Sequence, residues 1–207
     1  CTMSIQTLDK LLICHIDCSI WSGRKKLRPE DFRLANGSQL PPKDVASLGS
    51  KKICDPEALA NFERLKKEAQ RLCEQVGVRF LGGYAVPEDR IDQIVPELDR
   101  IGQEFAQCKQ LFLDNYDQVT FDWVAKHPEF ADAIRRALSP IEDVEQRLQF
   151  DYAIYRMQPA EQAGGLDDKV NGMGHTLFRE VARDANDLFE RSVAGKNQIS
   201  QRALNPL

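Results

Sequence analysis

Long hydrophobic runs are missing from this 207-residue chain. No uninterrupted apolar stretch approaches the roughly 20 residues that a membrane helix needs, and no charged-then-apolar leader opens the sequence, so no membrane association is expected. A marked excess of one charge is missing too. With 28 Lys+Arg against 32 Asp+Glu the net charge is -4, which argues against a uniformly basic nucleic-acid binder while leaving room for a local basic patch. Histidine is scarce, and none of His15, His127 and His175 adjoins a convincing nucleophile. Gly82-Gly83, Gly164-Gly165 and Gly172-Met173-Gly174 match neither the phosphate-cradling nor the dinucleotide-binding glycine pattern. There is no internal repeat at a period of 20–50 residues.

Metal-binding patterns are equally thin. The chain holds neither Glu-x-x-His nor His-Glu-x-x-His, which removes the ferritin-like and zincin signatures. Glu142, Asp143 and Glu145 open an expected helix, where acidic groups complement the macrodipole. Cys14-His15-x-x-Cys18 is the sole local cluster of soft ligands. It has no second pair to complete a tetrahedral zinc site, and on a strand His15 faces away from both cysteines. No metal, no cofactor and no catalytic residue is expected. The six cysteines are scattered rather than dense, which points to buried thiols in a reducing compartment, with the cytoplasm as the default location.

What is present describes a globular chain, 42% hydrophobic and 29% charged, long enough for one substantial domain or two small ones. Residues 1–79 carry 14 Lys/Arg against 10 Asp/Glu, while residues 80–207 carry 14 against 22, so the first part is basic and the rest acidic. Leu11 to Trp21 reads as a buried strand, residues 35–54 as loop, and Val78 to Val86 as a second short strand around Gly82-Gly83. Asp55-Pro56 opens a helix whose stripe is Leu59, Phe62, Leu65, Ala69, Leu72 and Val76, stopped by Gly77.

The clearest periodic signal follows. Ile91, Ile94, Leu98, Ile101, Phe105, Cys108 and Phe112 alternate steps of three and four, the a/d spacing of a long helix pairing along its length, with Pro96 predicting a kink or a break. Ile141, Val144, Leu148, Tyr152 and Tyr155 form a second seam, and Leu177, Val181, Ala185, Leu188 and Ser192, widened by Phe178 and Phe189, a third. The fold class this predicts is mainly α: long antiparallel helices, as a coiled-coil-like hairpin or bundle, with a small two-stranded β element. The expected organisation is a mixed N-terminal lobe over residues 1–87, a long-helix region over 88–193 and a tail over 194–207 that begins a further C-terminal part. Met3 reads as the native start. The seams leave open whether they close within one chain or between copies, so a homo-oligomer is admitted.

Two surface patterns nominate binding residues. Phe112, Tyr116, Phe121, Trp123 and Phe130 crowd into residues 112–130, where a helical arm would turn round. The bland reading is a satellite core; the sharper one is a partner-docking tip anchored by Tyr116, Phe121, Trp123 and Phe130. The run Arg24, Lys25, Lys26 and Arg28, with Lys51-Lys52 and the helical Arg64, Lys66, Lys67 and Arg71, is a candidate phosphate or nucleic-acid surface.

Three segments carry a resemblance: Leu8 to Leu27, with Ile-Trp-Ser-Gly-Arg-Lys-Lys-Leu; Gly77 to Pro87; and Asn115 to Glu129, with Asn-Tyr-Asp, Trp and His-Pro-Glu. Over most of its length the chain resembles a bacterial family catalogued only as a domain of unknown function. The resemblance implies carriage on integrative elements and phages beside a MoxR-type AAA+ ATPase and a von Willebrand A-domain protein, and members longer than this chain. It transfers no catalytic residue. The function expected is a non-enzymatic helical adaptor or structural component of such a system, with a DNA-associated maintenance or defence factor using the basic patch as the alternative.

Overall fold

The computed structural model describes residues 9–31, 49–158, 165, 166 and 168–174. The third predicted seam, from Leu177 to Ser192, and the tail over 194–207 lie outside the described residues.

The architecture is α+β, which corrects the mainly-α expectation. Four strands, β1 (Leu11–Ser19), β4 (Val78–Phe80), β5 (Gly83–Pro87) and β6 (Gln149–Tyr155), form an antiparallel sheet in the order β4-β5-β1-β6. A separate ribbon pairs β2 (Arg24–Lys26) with β3 (Ser50–Lys52). The helices are α1 (Ala60–Val76), α2 (Ile91–Asp114), α3 (Tyr116–Lys126), α4 (Ala131–Arg135) and α5 (Ile141–Arg147), and the described residues 168–174 are also helical. The second seam therefore breaks in the middle: α5 ends at Arg147, Leu148 is extended, and the rest is strand. Phe150, Tyr152 and Ile154 alternate with exposed neighbours, so period two wins over the i, i+4 spacing of Leu148 and Tyr152. The coiled-coil reading falls with it.

The chain divides into two compact units, and β1 and β6 each contribute to both. The first contains residues 9–14, 76–91 and the described residues from 154 on. Here β5 pairs with β1 from Leu11↔Pro87 to Cys14↔Tyr84, and with β4 from Val78↔Ala85 to Phe80↔Gly83. The β4–β5 connection is a two-residue turn with φ of 45° at Leu81 and 84° at Gly82, the positive pair that a twist-matched hairpin needs. Its core is Ile13, Phe80, Ala85, Val170 and Met173, with Leu11, Val78, Met157 and Leu166 packed against it. Arg156 ties the edge down through ion pairing with Glu88 (2.7 Å) and a hydrogen bond to the Asp9 carbonyl.

The second unit, residues 15–31, 49–75 and 92–153, is built on aromatic rings. The predicted α1 and α2 seams meet in it. Phe62 lies edge-on to Phe105 at 4.9 Å and to Phe112 at 6.0 Å; Phe105 also meets Phe150 of β6 at 5.7 Å. Phe112 passes the contact on to Tyr116 and Trp21, which meet each other at 5.8 Å. The a/d spacing of α2 thus marks a helix buried between α1 and β6, rather than one supercoiled on a twin. Helix α2 runs through Pro96 without a break, since in its second turn proline forfeits one backbone bond only. Outside the aromatic seam, Arg64 and Arg100 bridge α1 and α2: Arg64 pairs with Glu68 (3.1 Å) and Glu104, and Arg100 with Glu97 (2.9 Å), Glu104 (3.1 Å) and Glu68.

Truncating this seam should be costly where surface truncation is not. Phe105→Ala is expected to lower unfolding free energy in urea by about 3–5 kcal/mol, whereas Leu111→Ala, at a 67% exposed position, changes it by about 0.5 kcal/mol or less.

Candidate functional site

The site grows from the β2–β3 ribbon of the second unit. Gly23, at φ +60°, turns the chain out of the Trp21 core, and its close neighbour Cys54 Cβ would sit 3.3 Å from an added methyl group. The ribbon is then closed by Ile53 N–H to the Gly23 carbonyl (2.8 Å) and Leu27 N–H to the Gly49 carbonyl (3.1 Å). Its register sets Lys25 directly opposite Lys51, with both half-buried. Two ammonium groups facing each other across a ribbon repel, so this pairing needs an anion.

Asp31 supplies it. The short turn Pro29–Asp31 folds the carboxylate back under the ribbon, leaving its side chain 5% exposed. Asp31 Oδ2 accepts from the Arg28 amide (2.9 Å) and from Lys51 Nζ (2.5 Å), while Oδ1 lies 4.0 Å from the Arg136 guanidinium. Burial by itself would push this carboxyl up, but the Lys51 and Arg28 hydrogen bonds and the Lys51 and Arg136 charges outweigh it and hold it below its ordinary value. Around the Asp31 carboxylate Lys25, Lys26, Arg28, Lys51 and Arg136 line a cleft of about 680 Å³. Lys25, Lys26 and Arg28 have no carboxylate within ion-pair distance among the described residues.

A second cleft, of about 370 Å³, adjoins the first and shares Asp31 and Lys51 with it. Its walls are otherwise mainly apolar: Leu27 from the ribbon, Trp123 and His127 from the end of α3, and Phe130, Ala133 and Ile134 from the turn into α4. Residues 123 and 127 are one helical turn apart, which brings the Trp123 and His127 rings to 4.3 Å. Trp123 Nε1 donates to the Lys52 carbonyl (3.2 Å), pinning α3 to β3; Lys126 does the same to the start of the α1 segment through Asp55 (2.9 Å). His127 Nε2 is buried with no hydrogen-bond partner among the described residues.

The sequence-nominated residues separate accordingly. Trp123, half-buried, and Phe130, 54% exposed, share one cleft. Phe121 is 64% exposed, but two residues from Trp123 on a helix it presents another face. Tyr116 is 4% exposed in the aromatic core, its hydroxyl donating to the Ser139 carbonyl at 2.8 Å; burial pushes its phenol up to about 12. Lys25, Lys26 and Arg28 line the basic cleft, whereas Arg24, also exposed, is not among its lining residues. Arg64, with its α1 neighbours Lys66, Lys67 and Arg71, lies away from that cleft, and Arg64 is engaged with Glu68 and Glu104. Cys14 is buried in β1, and no group of three His, Cys, Asp or Glu side chains among the described residues is placed to hold a metal ion. Among the described residues, no helix is long and apolar enough to cross a membrane.

Asp31, Arg136 and His127 are the members that sequence reasoning did not nominate. Asp31 is 20 residues from its partner Lys51, and Arg136 is farther still from Asp31; Pro29, before Asp31, is the local turn signal that could have pointed to the first.

Fold and site together define an α+β protein bearing a paired basic and apolar cleft. The chain belongs to the family described as "Protein of unknown function (DUF3150)", whose sequence profile matches residues 8–207. No curated protein and no solved structure matches it.

Because the folded-state pKa of Asp31 is depressed below its ordinary 3.8, its stabilising contribution is present above that value and is lost as pH falls through the lower folded one. Asp31→Asn is therefore expected to destabilise by about 1–3 kcal/mol near neutral pH. In thermal unfolding its deficit against wild type should shrink as pH drops below about 4.

Proposed function

We propose that this protein is a non-enzymatic adaptor or structural component that docks a partner protein through the cleft carrying Trp123 and Phe130. The observation that carries this reading is an exposed phenylalanine beside a half-buried, hydrogen-bonded tryptophan on a concave apolar wall. Large aromatic side chains on a rigid support are typical interface anchors, and the aromatic core below holds this wall in place. The partner in this reading is the AAA+ ATPase or the von Willebrand A-domain protein of a mobile-element system. Support for that setting is the resemblance over Leu8 to Leu27, Gly77 to Pro87 and Asn115 to Glu129; the family description itself names neither activity nor partner.

One observation favours a second reading. Among the described residues, five cations surround the Asp31 carboxylate in a chain of net charge -4, which is what a phosphate backbone would seek, so a DNA-associated role through Lys25, Lys26 and Arg28 is the alternative.

A nuclease-treated pull-down of the full chain from its native host, read by mass spectrometry, separates the two. The adaptor reading expects an ATPase or von Willebrand A protein that is retained with wild type and lost with Phe130→Ala. Partners that disappear on nuclease treatment alone, together with DNA binding that falls steeply with salt and is abolished by Lys25→Glu/Lys26→Glu, would replace it with the nucleic-acid reading.

A further inference from the structure

The two clefts are neighbours of opposite character, and Asp31 and Lys51 belong to both. An occupant that fills one therefore borders the other. On the apolar side, its size suits one or two large side chains and lies at the small end of ligand pockets in general. On the basic side, Asp31 pairs with Lys51 at 2.5 Å, while Lys25, Lys26 and Arg28 have no carboxylate partner among the described residues. Such a surface attracts an anion and repels a basic segment.

From this juxtaposition we infer that the cleft pair recognises an acidic peptide segment carrying an apolar or aromatic anchor, with the anchor seated against Trp123 and Phe130 and flanking carboxylates on Lys25, Lys26 and Arg28. The inference rests on the adaptor reading and adds the chemistry of the partner segment to it. Charge complementarity selects an anionic occupant, and the apolar wall selects which one. A nucleobase placed there would bury several donors and acceptors, each of which costs free energy without a partner. Of the charged groups at this wall, Asp31 and Lys51 are already paired with each other, and Leu27, Phe130, Ala133 and Ile134 offer no side-chain donor or acceptor. An aliphatic or aromatic side chain has no such requirement. Phe130 is the exposed ring of this wall, with Trp123 half-buried and tied to the Lys52 carbonyl, whereas a single-stranded nucleic acid uses a series of exposed stacking rings.

The test is selection of a random peptide library displayed on phage against the full chain, followed by fluorescence anisotropy of the enriched peptides. The expected result is a consensus of Asp or Glu flanking a Phe, Trp, Leu or Ile. Affinity should drop about tenfold or more for Phe130→Ala and for Lys25→Glu/Lys26→Glu, both changes at accessible side chains. Replacing the peptide's acids by their amides should cause a comparable loss, and Trp123→Phe a smaller one. No enrichment, a consensus without acids, or binding indifferent to these variants would overturn the inference. So would an oligothymidylate that binds the same cleft and displaces the peptide, or a concentration-dependent dimer abolished by Phe130→Ala, which would make a second copy the occupant. If the library yields no acidic consensus while the pull-down still loses its partner with Phe130→Ala, the adaptor reading stands and this inference alone falls.

Discussion

The contact between Trp21 and Tyr116 is where the second unit's interior becomes a surface. Trp21 is 1% exposed and lies three residues before β2; Tyr116 is 4% exposed and begins α3. Their rings meet at 5.8 Å, and both touch Phe112 at the end of α2. Through these three rings the ribbon and α3 share one anchor in a seam that runs on through Phe62, Phe105 and Phe150. Aromatic pairs hold both by area buried and by edge-to-face geometry, so the segments leaving the seam start from fixed directions. Gly23 then bends one of them outward, and the Trp123 indole bonds to the Lys52 carbonyl where they meet again.

On that frame the electrostatics follow from a register. Pairing Arg24–Lys26 with Ser50–Lys52 opposes Lys25 and Lys51, a repulsive choice that a ribbon selected for stability alone would avoid. Asp31 relieves it for Lys51, and Lys25 has no carboxylate partner among the described residues. The cost is borne where the surface meets solvent and where screening limits it. A cluster of like charge maintained against its own repulsion is the kind of local inconsistency that marks a functional surface.

Much of this was legible in the sequence, and the failures share a cause. The α1 stripe and the α2 seam emerge because burial on one helical face imposes its period: Phe62, Leu65 and Ala69 on α1 and Ile94, Leu98, Ile101, Phe105 and Phe112 on α2 are all buried. The heptad spacing was over-read as supercoiling, since a helix covered by α1 on one side and Phe150 on another shows the same steps. In β6 the short segment satisfied two periods at once, and three β-formers at 150, 152 and 154 were the better guide. Strand β3 had no propensity signal at all: Ser-Lys-Lys is extended because β2 lies beside it. Of the site, Trp123, Phe130 and the lysines of β2 could be nominated from clustering. The placing of Tyr116 inside and of Asp31 beneath the ribbon depends on contacts 20 or more residues apart, which no local pattern encodes.

The central claim is that the Trp123 wall and the β2 cations form one binding surface, rigidly supported by the Trp21 core. The chain contains two tryptophans, one in each place, so the indole N–H resonances of the full chain report on both at once. Titration with an acidic, aromatic-anchored peptide is predicted to shift the Trp123 resonance strongly and leave the Trp21 resonance in position, with the Trp123 response suppressed in Lys25→Glu/Lys26→Glu. A shift confined to Trp21, or a Trp123 shift untouched by reversal of those charges, would contradict the account.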